Sequence, residues 1–123
     1  MKANSSDKHD GTPDSGVKIT YTGSFSTFSP IFQVSYTQSS YGSDLVKIED
    51  LEFADIAVST DTDVVIFSLG IDSCIMSRCL FNNIHHNGSG NKSFYIFGID
   101  STNGAVVQNT MIFNCGKSAT HSS

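Results

Sequence analysis

Two carboxylates occupy matching places in a phrase that the chain uses twice, Gly70-Ile71-Asp72-Ser73 and Gly98-Ile99-Asp100-Ser101. If the two copies lie on adjacent strands, Asp72 and Asp100 come within about 4.8 Å, the spacing of neighbouring strands. Two acids that close cannot both ionise cheaply, so one keeps its proton and the pair divides into an acid and a base. Retaining glycosidases hold their carboxyls about 5 to 5.5 Å apart around an oxocarbenium-like transition state, so glycoside cleavage is the chemistry on offer. The ordinary alternative is that both are turn formers bonding nearby backbone N–H groups. On the expected face Ser68 and Ile96 join the pair as substrate contacts, with His85 and His86 in a flanking wall.

Other reactive residues point to less. His85 and His86 are adjacent, consecutive strand residues face opposite sides, and no third ligand stands near them in the sequence, so a solvated loop is the plainer reading and no metal site or cofactor is expected. Cys74, Cys79 and Cys115 lack metal-ligand spacing, and three cannot pair completely within one chain. Cys74 and Cys79 fall in apolar slots and read as buried free thiols acting as small hydrophobes. Phe25, Tyr41 and Phe94 could stack on sugar rings if exposed; packing is their commoner use.

The repeated phrase belongs to a longer rhythm. Each copy closes an apolar run, Val64 to Leu69 and Phe94 to Phe97, and the second begins 28 residues after the first (98 − 70). Three further segments share a frame: Ile48, Ile75 and Val107; Asp50, Ser77 and Asn109; Phe53, Leu80 and Ile112; then Asp55, Asn82 and Asn114. A period near 30 marks stacked repeats. The segments are short, β-branched and aromatic, and bounded by Gly, Asn, Asp and Ser, which favours strands over helices. The frame predicts stacking of Gly70 on Gly98, Ile71 on Ile99 and Leu80 on Ile112. It also predicts an inward row of Phe67, Leu69 and Ile71 under Tyr95, Phe97 and Ile99, with Phe32, Val34 and Tyr36 upstream. The outward row is Ile66, Ser68, Gly70 and Asp72 against Phe94, Ile96, Gly98 and Asp100.

Around this core, residues 1–15 are polar and without periodicity, a flexible lead-in. The repeating part runs over 16–116, its strands beginning at Val17 to Thr22 and Ile31 to Tyr36, and 117–123 form a tail. Loops are expected at Thr37 to Asp44 and Asn82 to Lys92. At 123 residues the chain is at most one domain. Only 15% of residues are charged, there is no Trp, and the net charge is −5 with Arg78 the sole arginine, so nucleic acid is not an expected partner. No run is long and apolar enough to span a membrane, and Met1 to Ser6 lacks the apolar segment of a signal peptide.

The aliphatic, polar, Asn or Asp, aromatic, Asn rhythm of Val46 to Phe53, Ile75 to Asn82 and Val107 to Asn114 resembles the right-handed parallel β-helix of the pectate-lyase-like superfamily, as found in phage tailspikes and capsule depolymerases. The resemblance covers about residues 16 to 116 and implies an all-β solenoid of three to four short turns. It implies a polysaccharide or glycan as partner, a homo-oligomer (a trimer in such spikes), an extracellular or virion-associated place, and, if the chain is an enzyme, a polysaccharide hydrolase or lyase. The catalytic signatures of pectate lyases and polygalacturonases are not present as such. The expectation is therefore a segment of a polysaccharide-directed spike, glycan-binding or depolymerising. The alternative is a non-catalytic structural or adhesive segment that works through self-association.

Overall fold

The computed structural model describes residues 1–2, 5–23, 30–35, 46–60, 62–70, 74–88, 92–99 and 105–117. These contain eleven strands and no helix: β1 (Lys18–Ile19), β2 (Thr22–Gly23), β3 (Pro30–Ser35), β4 (Val46–Glu49), β5 (Glu52–Val58), β6 (Val64–Gly70), β7 (Cys74–Ser77), β8 (Leu80–His86), β9 (Phe94–Ile99), β10 (Val106–Gln108) and β11 (Met111–Lys117). They form three sheets. Sheet I has the order β10-β7-β4, sheet II β1-β5-β8-β11 with β2 also on β5, and sheet III β3-β6-β9. All pairings between strands are parallel. From β4 onward the chain visits sheets I, II and III in turn, then repeats the circuit, so each strand pairs with its counterpart one circuit away.

The circuit turns where the backbone enters the left-handed region. Asp50, Arg78 and Asn109 have φ of 59°, 50° and 49°, and each stands between a strand of sheet I and the next strand of sheet II. The repeat segments Val46 to Phe53, Ile75 to Asn82 and Val107 to Asn114 are therefore each divided between two strands. A second left-handed set, Asp55, Asn83 and Asn114 (φ 54°, 51° and 49°), lies inside β5, β8 and β11. It shifts the side-chain alternation by one: Phe53 and then Ile56 and Val58 join the core on β5, and Phe81 and then Ile84 do so on β8. Asn and Asp tolerate this conformation better than other residues with a Cβ, which accounts for five of these six positions.

The core runs up the middle of the circuits. Phe53 and Phe81 stack with centroids 4.9 Å apart and an interplanar angle of 14°. Phe67 meets Phe53 edge-on at 5.4 Å and stacks against Phe32 at 5.8 Å, while Phe97 meets Phe81 edge-on at 4.9 Å. Burying each such ring stabilises the fold by about 1.5–3 kcal/mol, so a few phenylalanines one circuit apart carry much of the stability.

The register corrects the frame read from the repeats. Phe67 pairs with Phe97, Ser68 with Gly98 and Leu69 with Ile99, two residues away from the expected matches, so Gly70 does not stack on Gly98. Leu80 pairs with Met111, and Ile112 with Phe81. Ile48 stacks on Met76 rather than Ile75. The faces change as well. The sheet III pairing passes over Ile31, Ile66 and Ile96, and the alternation slips there. Ile66, expected outside, is fully buried in the core together with its neighbour Phe67, and Phe94 and Ile96 pack against that core.

Candidate functional site

Two columns of polar side chains follow from the left-handed corners. At the first, Arg78 donates from Nε to Asp50 Oδ1 (2.7 Å) and from Nη2 to Glu49 Oε1 (3.2 Å), while Lys8 approaches Asp50 Oδ2 at 3.4 Å. The Arg78 hydrogen bond holds the Asp50 carboxyl below its ordinary range. Burial opposes ionisation of Glu49, but Ser77, Arg78 and Lys2 outweigh it and lower that carboxyl too. At the second corner Asn83 Nδ2 donates to Asp55 Oδ1 (2.8 Å), Asn114 Nδ2 donates to Asn83 Oδ1 (3.2 Å), and Lys18 Nζ donates to Asp55 Oδ2 (2.9 Å). Asn83 and then Lys18 lower the Asp55 carboxyl. Both columns are largely satisfied from within the chain. Their chemistry is that of ladders holding one circuit on the next.

The acid pair Asp72 and Asp100 lies outside the described residues, as do Ile71, Tyr36, Phe25 and Tyr41. Of the other expected contacts, Ser68 faces Gly98 across sheet III, and Ile96 packs inward against the core, so the two do not share one outward face. His85 and His86 are on β8, not in a loop, and are directed apart. The half-buried His85 bonds through Nε2 to Asn83 Oδ1 (2.9 Å), at the second polar column. His86 is fully buried and its ring lies parallel to that of Phe94 (8°, centroids 6.3 Å). Its Nε2 donates to the Thr60 carbonyl at 2.9 Å, which fixes the tautomer and leaves Nδ1 buried without a hydrogen bond. Gly88 permits this closure, because a Cβ there would come within 1.8 Å of the Thr60 oxygen. Such a histidine is out of reach of a polymer in solvent. No three His, Cys, Asp or Glu among the described residues are grouped to hold a metal ion.

Open strand edges are what the sequence leads one to expect at the ends of so short a coil, and the far end of the circuits has them. Among the described residues β9, β10 and β11 each pair on one side only. The apolar columns of the core end there uncovered: Phe53 and Phe81 are buried, whereas Ile112, next in that column, is 54% exposed. Tyr95, Ile99, Val106, Met111 and Phe113 are likewise exposed, Phe113 to 59%. Single exposed apolar residues need no explanation; here six of them lie on the three strands whose outer edges are unpaired among the described residues. One signal was available in the sequence: residues 94–99 and 105–116 contain no Asp, Glu, Lys or Arg.

The first circuit is different. Met1 and Lys2 lie along the outer edge of β4, with a parallel bridge from Lys2 to Glu49 and the Glu49 N–H donating to the Met1 carbonyl (3.0 Å). Lys2, Lys8, Lys18, Glu49, Asp50 and Asp55 place this end's ion pairs around it. An apolar cavity of about 330 Å³ opens beside Met1, Ile19, Phe32 and Phe67. No protein-family model matches the chain, and neither a curated protein nor a solved structure matches it.

Proposed function

We propose that the chain is a segment of a parallel β-solenoid of the pectate-lyase-like kind, and that it works as a structural or adhesive module through association at its C-terminal circuit. The observation that carries this reading is the set of outer edges of β9, β10 and β11, unpaired among the described residues, with the exposed side chains of Ile99, Met111, Ile112 and Phe113 on those strands. Stacked-repeat proteins stay soluble by covering such ends, and an uncovered end buries its apolar surface by docking. The polar columns fit a load-bearing role, since their bonding groups are turned to neighbouring circuits. Sedimentation of the full chain over a wide concentration range tests the proposal. Reversible association weakened by Ile112→Glu is expected, and a monomer at every concentration refutes it.

A second reading, glycan binding, has one observation in its favour. The side chains of Asp55, Asn83 and Asn114 recur at the strand spacing, about 4.8 Å, as a regular row of hydrogen-bonding groups of the kind a repeating polyhydroxyl chain can follow, and His85 flanks them. Retardation in polysaccharide-containing gels that is lost on Asn114→Ala supports this reading. Mobility unaffected by a panel of acidic and neutral polysaccharides removes it.

A further inference from the structure

We infer that residues 7–17 form a cover that closes over the outer face of sheet II and opens as one body while the circuits beneath stay folded. The segment is an Ω-loop whose ends meet where the Val17 N–H donates to the Asp7 carbonyl (2.9 Å). Its interior is bonded to itself. The Asp10 N–H donates to Ser15 Oγ (3.0 Å), Ser15 Oγ to the Thr12 carbonyl (2.7 Å), the Thr12 N–H to Asp10 Oδ1 (2.9 Å) and the Gly11 N–H to His9 Nδ1 (3.2 Å). The chain also passes close to itself, so that a Cβ at Gly16 would run into the His9 backbone.

The register shows what the loop lies on. Glu52, Leu80 and Met111 are successive partners across β5, β8 and β11, and each precedes a residue of the Phe53, Phe81 and Ile112 column, so the three stand on the outer face of sheet II. At one end of their row the Asp14 N–H donates to Glu52 Oε2 (2.9 Å), and at the other a Cβ on Gly11 would stand 3.9 Å from Met111 Cε. Leu80, between them, is fully buried although it lies outside the core cluster. In the next outward row Ala54 and Asn82 are buried and Phe113 is exposed. The face is thus covered over two circuits, and the cover stops at the third.

The loop is seated by Lys8 on Asp50 (3.4 Å), by His9 Nε2 donating to the Arg78 carbonyl, and by Asp14 on Glu52. None of residues 7–17 belongs to the core cluster or packs against it. A segment bonded chiefly to itself, with no part in the core, opens well below the free energy of global unfolding. Opening uncovers a strip with one carboxylate, Glu52, one amide, Asn82, and the apolar Ala54 and Leu80, continuous with Met111 and Phe113. When the loop is closed, the Asp14 N–H occupies the Glu52 carboxylate, whose other oxygen lies 3.5 Å from Asn82 Nδ2. The contact is autoinhibitory: any donor brought to Glu52 from solvent must first displace Asp14.

Amide exchange and thiol labelling of the full chain test the cover. The amides of Asp10, Gly11, Thr12, Asp14 and Val17 are expected to share one protection factor, smaller by about tenfold or more than that of β5 and β8. Glu52→Ala removes the acceptor of Asp14 and should lower the shared value by about tenfold while the exchange of β8 is unchanged. A cysteine introduced by Asn82→Cys lies beneath the loop, and a thiol reagent should reach it while the β-sheet dichroism is still that of the folded chain. Should Glu52→Ala lose that dichroism, Asp10→Ala, which lies wholly within the loop, takes its place with the same expectation. Loop amides as protected as those of β5 and β8, or labelling at position 82 only on unfolding, would make the loop part of the cooperative core and overturn the cover. Loop amides with no protection, or five exchanging independently, would overturn it as well, because no closed body then exists. Loop protection unchanged by the substitution would remove the Glu52 latch and the autoinhibitory contact with it.

Discussion

Replacing Asn83 separates what its backbone does from what its amide does. The residue has φ of 51° and makes three side-chain hydrogen bonds, with Asp55 (2.8 Å), Asn114 (3.2 Å) and His85 (2.9 Å). Each bond contributes roughly 0.5 kcal/mol, the low end of the usual range because the site is largely solvated, so losing all three costs about 1.5 kcal/mol. Asn83→Gly loses the bonds, but the ease of glycine in a left-handed conformation offsets its greater chain entropy, and the net cost stays near 1.5 kcal/mol. Asn83→Ala loses the same bonds and adds about 1 kcal/mol for a Cβ in that conformation, about 2.5 kcal/mol in all. Asn82, the residue that the repeat frame placed in this column, has no positive φ. There the order reverses, with glycine costing about 0.5–1 kcal/mol more than alanine. Urea unfolding followed by far-ultraviolet dichroism, at concentrations below any association, reads all four variants. Equal stabilities for Asn83→Gly and Asn83→Ala would refute the left-handed corner, and two variants as stable as wild type would refute the ladder.

Other predictions concern protons and thiols. Asp50, Asp55 and Glu49 all have lowered carboxyls in the folded chain, so the stability they contribute is fully present above their ordinary values, 3.8 for Asp and 4.5 for Glu, and is lost as pH falls through the lower folded values. Urea midpoints should drop on acidification, and Asp50→Asn should flatten that dependence while lowering the midpoint near neutrality; an unchanged slope counts against the Arg78 column. Burial pushes the thiols of Cys74, Cys79 and Cys115 up, and the first two are fully buried. A thiol reagent should label Cys115 first and reach Cys74 and Cys79 only after unfolding; a disulfide in the native mass would contradict the free thiols.

The architecture was legible because β-branched and aromatic runs between polar turns repeat near 30 residues, and nothing else in the sequence competes with that period. Register was not. The phrase Gly-Ile-Asp-Ser is the most conspicuous repeat, yet it closes strands that pair two residues out of step with it, since Phe67 and Phe97 fix sheet III through the core. The corner frame failed by one residue in the middle circuit for a related reason. Asn82 and Asn83 are alike in type, and nothing in Ser77-Arg78 announces that the arginine takes the left-handed turn. Backbone conformation chose between them, and residue identity alone does not carry it. The open edges were legible as edges, whereas the exposure of Phe113 and Ile112 was not, since residue type alone does not say which apolar residues of β11 lie against a neighbour.

The one-circuit pairing also decides the order in which the chain can acquire protection from solvent. Paired residues between strands are separated by 28 positions at the least, as for Val46 and Cys74 (74 − 46), and by 35 for Phe32 and Phe67 (67 − 32). Among the described residues no hairpin is available as a start, and closing a loop of this size costs about 3 kcal/mol of chain entropy before any contact is gained. The circuits holding β5 and β8, where Phe53 lies on Phe81, combine the largest burial with neighbours on both sides. They form the natural nucleus, and later circuits add to it as layers on a growing stack. Amide exchange should accordingly be graded along the stack, slowest in β5 and β8 and fastest in β9 to β11, whose free edges open without disturbing the rest.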